Sequence, residues 1–290
     1  MSAGRVLLTG ASGLIGRHVG AALRARDYEV VAVSRRPGCM TGNLLADPEG
    51  IVVRAEADHL IHLAWHDGPD RWTAPENLDW VGASLRLLRA FAEAGGTRAV
   101  MVGSCAEYDW SGGHLSETTP LRPATLYGAA KAATGMAAMA GAGAMGVSLA
   151  WARVFFCYGP GEPEGRLFGD LIRGLSAGRA VDCTDGLQRR DFLHTEDVGR
   201  ALAMLLQGRV EGPVNIGSGT AVPVREMILT IARQMGREDL VRLGARPRPP
   251  EDPALIEAGV ERLSNDVGFR PRYDTMTGIR AVLQSEKVLA

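Results

Sequence analysis

The run Arg5-Val6-Leu7-Leu8-Thr9-Gly10-Ala11-Ser12-Gly13-Leu14-Ile15-Gly16 decides the fold. Arg5 to Leu8 is mostly apolar and suits a buried strand. Gly10, Gly13 and Gly16 follow three apart, and Leu14, Ile15, Val19, Ala22 and Leu23 then repeat at helical spacing. Strand, glycine turn and helix in this order form the context of a dinucleotide site. Gly10 would allow the tight turn, Gly13 the approach of a pyrophosphate, and Gly16 the packing of helix on strand. Ser12, Leu14 and Ile15 complete the turn, and the helix N-terminus favours negative charge.

Outward from this run, strands and helices alternate. Tyr28 to Val33 reads as a second strand and Leu60 to Ala64 as another. Leu78 to Ala94 reads as a helix, stopped by Gly95-Gly96. A strand Ala99 to Val102, a helix Leu126 to Ala140 and a strand Val147 to Phe156 follow. This order predicts a doubly wound α/β fold of Rossmann type, with a parallel sheet and ligands at the carboxyl ends of its strands. Ser34, Trp65, Ser104 and Phe156 stand at such ends. The alternation weakens after Phe156. Residues 1–156, with 190–217 returning to them, are expected to form the dinucleotide-binding part. Residues 157–189 and 218–290 are expected to form a smaller C-terminal α/β substrate lobe.

The chain has 290 residues and 46% hydrophobic content, enough for a large core. Its net charge of −1 gives no basis for binding nucleic acid or an anionic membrane. No 18-residue apolar run and no secretory leader is evident, so a cytoplasmic protein is expected. Cys39, Cys105, Cys157 and Cys183 form no CxxC pair, which favours free thiols over disulfides or a metal site. Only Lys131 and Lys287 among the 32 basic residues are lysine; the other 30 are arginine. A lysine inside such a chain is a candidate for chemistry that arginine cannot do.

Tyr127 and Lys131 stand four apart on one predicted helix and so share a face. A tyrosine working near neutral pH needs its pKa brought down from about 10, which an adjacent ammonium would do. It can then give a proton to a ketone or take one from an alcohol. Ser104, at a strand end upstream, can hydrogen-bond the same oxygen.

With the glycine turn, Ser104, Tyr127 and Lys131 in this order, the chain resembles the extended short-chain dehydrogenase/reductase family, and within it the nucleotide-sugar epimerases, dehydratases and reductases. Further motifs carry the likeness: Asp58 to Ala64 resembles DxxxHLA, Tyr158-Gly159-Pro160-Gly161 the YGPG loop, Arg190 to His194 RDFxH, and Asn215 to Gly219 NIGSG. The resemblance implies Ser104, Tyr127 and Lys131 as catalytic residues. Leu63, Ala64, Asn43 and Leu44 would line the cofactor. It further implies a nucleoside-diphosphate sugar as substrate, Arg190 and either Arg248 or Arg246 as diphosphate ligands, and a homodimer built on the helices from Asn77 and Leu126. Trp65, Cys105 and Phe156 would meet the sugar.

Departures from the pattern narrow the reaction. Dehydratases of the family follow the catalytic Ser or Thr with an acid and a base, whereas Cys105 and Ala106 follow Ser104. Glu107 falls one position late and reads as a loop carboxylate. The second strand ends in Ser34-Arg35-Arg36, with no acid for the ribose hydroxyls, and Arg suits a 2′-phosphate. NADP(H) is therefore the preferred cofactor, with NAD(H) possible. The leading expectation is NADPH-dependent reduction of the C4 ketone of a 4-keto-6-deoxy sugar nucleotide. The alternative is a nucleotide-sugar epimerase holding NAD; a non-catalytic binding protein on the same fold is disfavoured by the Tyr/Lys pair.

Overall fold

The computed structural model describes residues 3–34 and 39–289. Strand β1 (Arg5–Thr9) leads through the glycine turn into helix α1 (Gly16–Arg24) and strand β2 (Glu29–Val33). Helix α2 (Pro48–Ala55) comes next, opened by Asp47, whose carboxylate accepts from the Gly50 N–H at 2.9 Å. Then follow β3 (His59–His62), α3 (Glu76–Glu93), β4 (Arg98–Ser104), the short β5 (His114–Leu115), α4 (Leu126–Ala142) and β6 (Ser148–Val154).

Past β6 the chain builds β7 (Phe156–Tyr158), α5 (Leu167–Ser176), β8 (Val181–Asp182), β9 (Arg189–His194), α6 (Thr195–Gln207) and β10 (Gly212–Ile216). It ends with β11 (Ala221–Pro223), α7 (Val224–Met235), β12 (Val241–Arg242), β13 (Leu255–Ala258), α8 (Glu261–Asn265) and α9 (Thr275–Ser285).

Six strands form one parallel sheet in the order β10-β6-β4-β3-β1-β2. Alternate side chains divide it into two buried layers, as strand pleating requires. Val6, Leu8, Ile61, Val100 and Ala152 meet α1 and α6 on one face. Leu7, Leu60, Ala99, Met101 and Trp151 meet α2, α3 and α4 on the other. The strand order reverses between β1 and β3, which leaves the crevice at the C-terminal end of β1 where the glycine turn sits.

A second sheet runs β11-β9-β13-β5, with β7 added beside β9. Phe168, Leu171, Met227, Ile228, Ile279 and Leu283 build a separate core beneath it from α5, α7 and α9. Arg190 lies on β9 and so belongs to this sheet. The return to the main sheet therefore starts at α6, which packs on α1, and not at residue 190.

Candidate active site

The glycine turn has the shape its residues dictate. Gly10 takes φ +70°, and a Cβ there would lie 2.8 Å from the Ala64 backbone nitrogen. A Cβ on Gly16 would fall 2.1 Å from the Gly10 carbonyl oxygen, so only glycine lets α1 begin this close to the turn. At Gly13 the same test meets only the Gly10 oxygen, at 3.3 Å, and open space lies beyond. That open cradle, at the start of α1, fits a dinucleotide pyrophosphate.

The Ser34 hydroxyl donates to the Ser12 hydroxyl at 2.7 Å and ties the end of β2 to the turn. Asn43 is exposed, with its Oδ1 taken by the Leu45 N–H at 3.0 Å, and Leu44 is buried. Arg35 and Arg36, on which the NADP(H) expectation rests, lie outside the described residues. Leu63 and Ala64 follow β3 directly, where the Thr9 hydroxyl accepts from the Ala64 N–H at 3.3 Å. That hydroxyl also sits 2.7 Å from His62 Nδ1, and His62 Nε2 is 2.8 Å from the Ser84 hydroxyl. Burial, aided by the nearby Lys131 charge, pushes the His62 pKa down to about 3 and keeps the ring neutral.

Ser104 ends β4, and Tyr127 lies in the first turn of α4. Thr125 caps that helix, its hydroxyl accepting from the Gly128 N–H at 3.1 Å. Gly128 brings α4 against the turn after Ser104, since a Cβ there would fall 2.2 Å from the Ala106 carbonyl oxygen. The structure thus brings Ser104, Tyr127 and Lys131 together. Burial raises the Tyr127 pKa to about 12, opposed by a hydrogen bond from Ser104 and by the charge of Arg166. The expected lowering by Lys131 is not what this arrangement gives. The Lys131 ammonium donates to the Val102 carbonyl at 2.8 Å and lies 3.7 Å from the centre of the Trp65 ring. Its own pKa is drawn down to about 7 by burial, with Glu107 pulling the other way.

Glu107 corrects the sequence expectation of a loop carboxylate. It is fully buried, ion-paired to Arg153 at 2.7 Å, and accepts from the Ser104 N–H at 2.8 Å and from Trp151 Nε1 at 3.0 Å. The carboxylate thus caps the turn that carries Ser104 and fixes that residue's backbone. Sequence spacing missed it because its partners, Trp151 and Arg153, arrive from β6, more than 40 residues later. The same pair leaves no free acid and base after Ser104.

The other candidates are placed as follows. Trp65 is part-buried, with Nε1 donating to Asn77 Oδ1 at 2.8 Å and the ring stacked with Trp80. The Cys105 thiol is buried and its pKa is raised by that burial. Phe156 packs edge-on against Phe192. Arg190 is buried, bonded to Asp252, and donates to the Arg189 and Pro253 carbonyls at 2.8 and 2.7 Å. Arg248 faces Asp185 at 4.0 Å, and Arg246 is exposed. Sequence reading did not single out Arg71 and Trp72. The Trp72 ring meets Tyr127 edge-on at 5.4 Å, its carbonyl accepts from the Tyr127 N–H at 3.2 Å, and Arg71 lies 4.9 Å from the Trp72 ring. Their only signal was position, in the loop after β3.

Among the described residues no cluster of potential metal ligands occurs, and no helix is long and apolar enough to cross a membrane. A model of the NAD dependent epimerase/dehydratase family matches residues 6–217. The chain is 28% identical to UDP-glucose 4-epimerase of Azospirillum brasilense, over 98% of this chain and 92% of that protein. It is 27% identical to dTDP-6-deoxy-L-talose 4-dehydrogenase (NAD(P)(+)) of Kitasatospora kifunensis, over 95% and 93% of the two chains. The solved structure of MoeE5 in complex with UDP-glucuronic acid and NAD matches with a TM-score of 0.87 at 33% identity, covering 98% of this chain and 99% of that one. With the glycine cradle, the Ser104-Tyr127-Lys131 cluster and the parallel sheet in place, the chain belongs to the NAD dependent epimerase/dehydratase family.

Proposed function

We propose that the protein is an NAD-dependent 4-epimerase acting on a UDP-hexose or UDP-hexuronate. The observation that carries this reading is the likeness over nearly the whole chain to a UDP-glucose 4-epimerase, joined by the match to MoeE5 holding UDP-glucuronic acid and NAD. The site supports it in two ways. The open face of Gly13 accommodates the cofactor pyrophosphate, and the cluster at Tyr127 is equipped for one proton transfer at a sugar hydroxyl.

NAD held there would accept and return a hydride. Tyr127 takes the proton of the sugar hydroxyl and gives it back to the ketone, while Ser104 holds the same oxygen. The Ser104 hydroxyl, hydrogen-bonded to Tyr127, works against the burial that holds its pKa at about 12, and Lys131 stands one helical turn away on the same face. Dehydration needs an acid and a base beside Ser104, and Glu107 is held by Arg153. Arg190 and Arg248 remain the candidates for the diphosphate. Leu78 and Met136, each 60% exposed on the mutually packed α3 and α4, favour a homodimer through these helices.

The second reading, reduction of a 4-keto-6-deoxy sugar nucleotide with NADP(H), is favoured by the likeness to the 6-deoxytalose dehydrogenase. One experiment separates the two. The purified protein is given UDP-glucuronate or UDP-glucose with NAD, and inversion at C4 is followed by proton NMR. Interconversion of the epimers without net change in reduced nucleotide supports the epimerase. Consumption of NADPH by a 4-keto sugar nucleotide, with no interconversion, overturns it in favour of the reductase.

A further inference from the structure

We propose that Trp65 is a positioning residue: its indole face holds the Lys131 ammonium, charged, on the face of α4 that carries Tyr127. The inference rests on the reading of Tyr127 as the proton-transfer group.

The geometry is specific. Lys131 is buried, yet its ammonium lies 3.7 Å from the centre of the Trp65 ring, well inside the range of cation–π attraction. Its one hydrogen-bond acceptor among the described residues is the Val102 carbonyl at 2.8 Å. The ring is itself fixed. Trp65 Nε1 donates to Asn77 Oδ1 at 2.8 Å, and the fully buried Asn77 donates through Nδ2 to the Arg71 and Ala74 carbonyls, each at 2.8 Å. Trp80 stacks with the indole at 6.1 Å and 28°.

The charged and titratable groups around Lys131 explain why it needs this partner. From β3 comes His62, held neutral by burial. From the turn after β4 come Cys105, whose thiol stays protonated, and Glu107, whose carboxylate binds Arg153 and not the lysine. Tyr127 stands on the same helix. A buried ammonium without a carboxylate in contact loses its proton readily, and here burial brings its midpoint to about 7. At that midpoint a modest change in support decides how much of the protein carries the charge at neutral pH. An aromatic face provides such support, strongest for Trp and for a desolvated cation.

The test reads the lysine directly. The chain has two lysines, so the Lys287→Arg variant labelled with ζ-15N lysine gives one signal, that of Lys131. In that background Trp65→Leu is expected to lower the Lys131 titration midpoint by about one pH unit, and Trp65→Phe to lower it less. The kcat for C4 inversion should fall in Trp65→Leu with KM little changed, and be largely restored in Trp65→Phe, because the lysine is then no longer held in place beside Tyr127. A second measurement covers misfolding of the leucine variant. Replacing the five tryptophans with 5,7-difluorotryptophan thins the ring face without changing its size, and the midpoint should fall again. A midpoint that stays in place in both proteins overturns the proposal. Absence of C4 inversion in the unmodified protein, with the NMR shifts as expected, overturns the epimerase reading and leaves the Trp65–Lys131 pairing standing.

Discussion

Glu107 and Arg153 meet at 2.7 Å with both side chains out of water. The pair joins the turn after β4, which follows Ser104, to the C-terminal end of β6. Arg153 extends it by donating to the Tyr108 hydroxyl at 2.9 Å, and Tyr108 in turn donates to Asn215 at 2.7 Å. A network so closed fixes the Ser104 backbone without exposing a carboxylate to substrate.

Removing one partner of a buried pair leaves the other charge uncompensated, at about 3–5 kcal/mol. Glu107→Ala is therefore expected to lose about that much stability in urea denaturation. Glu107→Gln keeps hydrogen-bonding capacity toward the Ser104 N–H and should lose less. Equal and small losses in both variants would show that the pair is not integral to the turn.

The three glycines of the first turn should separate by experiment. Gly16→Ala drives a Cβ into a backbone oxygen at 2.1 Å, so it should cost about 1–3 kcal/mol in folding and lower the melting temperature. Gly13→Ala meets one atom at 3.3 Å and should leave stability nearly unchanged. It fills the cradle, however, and NAD affinity measured by fluorescence titration should fall at least tenfold. Retained NAD binding in Gly13→Ala would remove the pyrophosphate from this position.

Much of this arrangement was legible in the sequence because local pattern determined it. The strand-glycine-helix run, the alternation up to β6 and the Tyr127/Lys131 spacing each depend on residues close in the chain. What escaped was set by partners distant in sequence. Glu107 looked like a loop carboxylate because Trp151 and Arg153 lie on another strand. The Trp65–Lys131 contact escaped because nothing local places Lys131 over that ring. Helix α2 was missed although Asp47-Pro48 is a sound start, since its eight residues carry too few turns for a clear apolar period. Arg190 was matched to its motif, but its bond to Asp252 crosses 62 residues of chain.

Acid should destabilise the protein through its buried imidazoles. Unfolded, a histidine takes its proton near pH 6.5; folded, His62 does so only at about 3 and His194 at about 4, both held down chiefly by burial. Between those values the unfolded chain binds more protons, so stability falls as pH drops below about 6.5 toward the folded values. Each ring contributes a loss of about 1 kcal/mol by pH 5.5. Urea midpoints at pH 7.5 and 5.5 measure it. His62→Gln removes one of the two rings and should shrink the difference by about that amount; an undiminished difference would assign the acid sensitivity to other groups.

Arg190 presents the sharpest question about substrate. It is buried, and Asp252 together with two carbonyls occupies its guanidinium. A diphosphate reaching Arg190 therefore competes with the Asp252 carboxylate for the same donors. If Arg190 is the diphosphate ligand, Asp252→Asn removes the competing charge, and UDP should bind about tenfold tighter by calorimetry, a gain of the size expected for one charge-assisted contact. Arg190→Ala should then abolish the gain. An unchanged UDP affinity in Asp252→Asn, with loss of stability alone in Arg190→Ala, would make Arg190 a strap that ties β9 to the segment 252–253, and would pass the diphosphate to Arg248, whose 4.0 Å approach to Asp185 leaves it far less constrained.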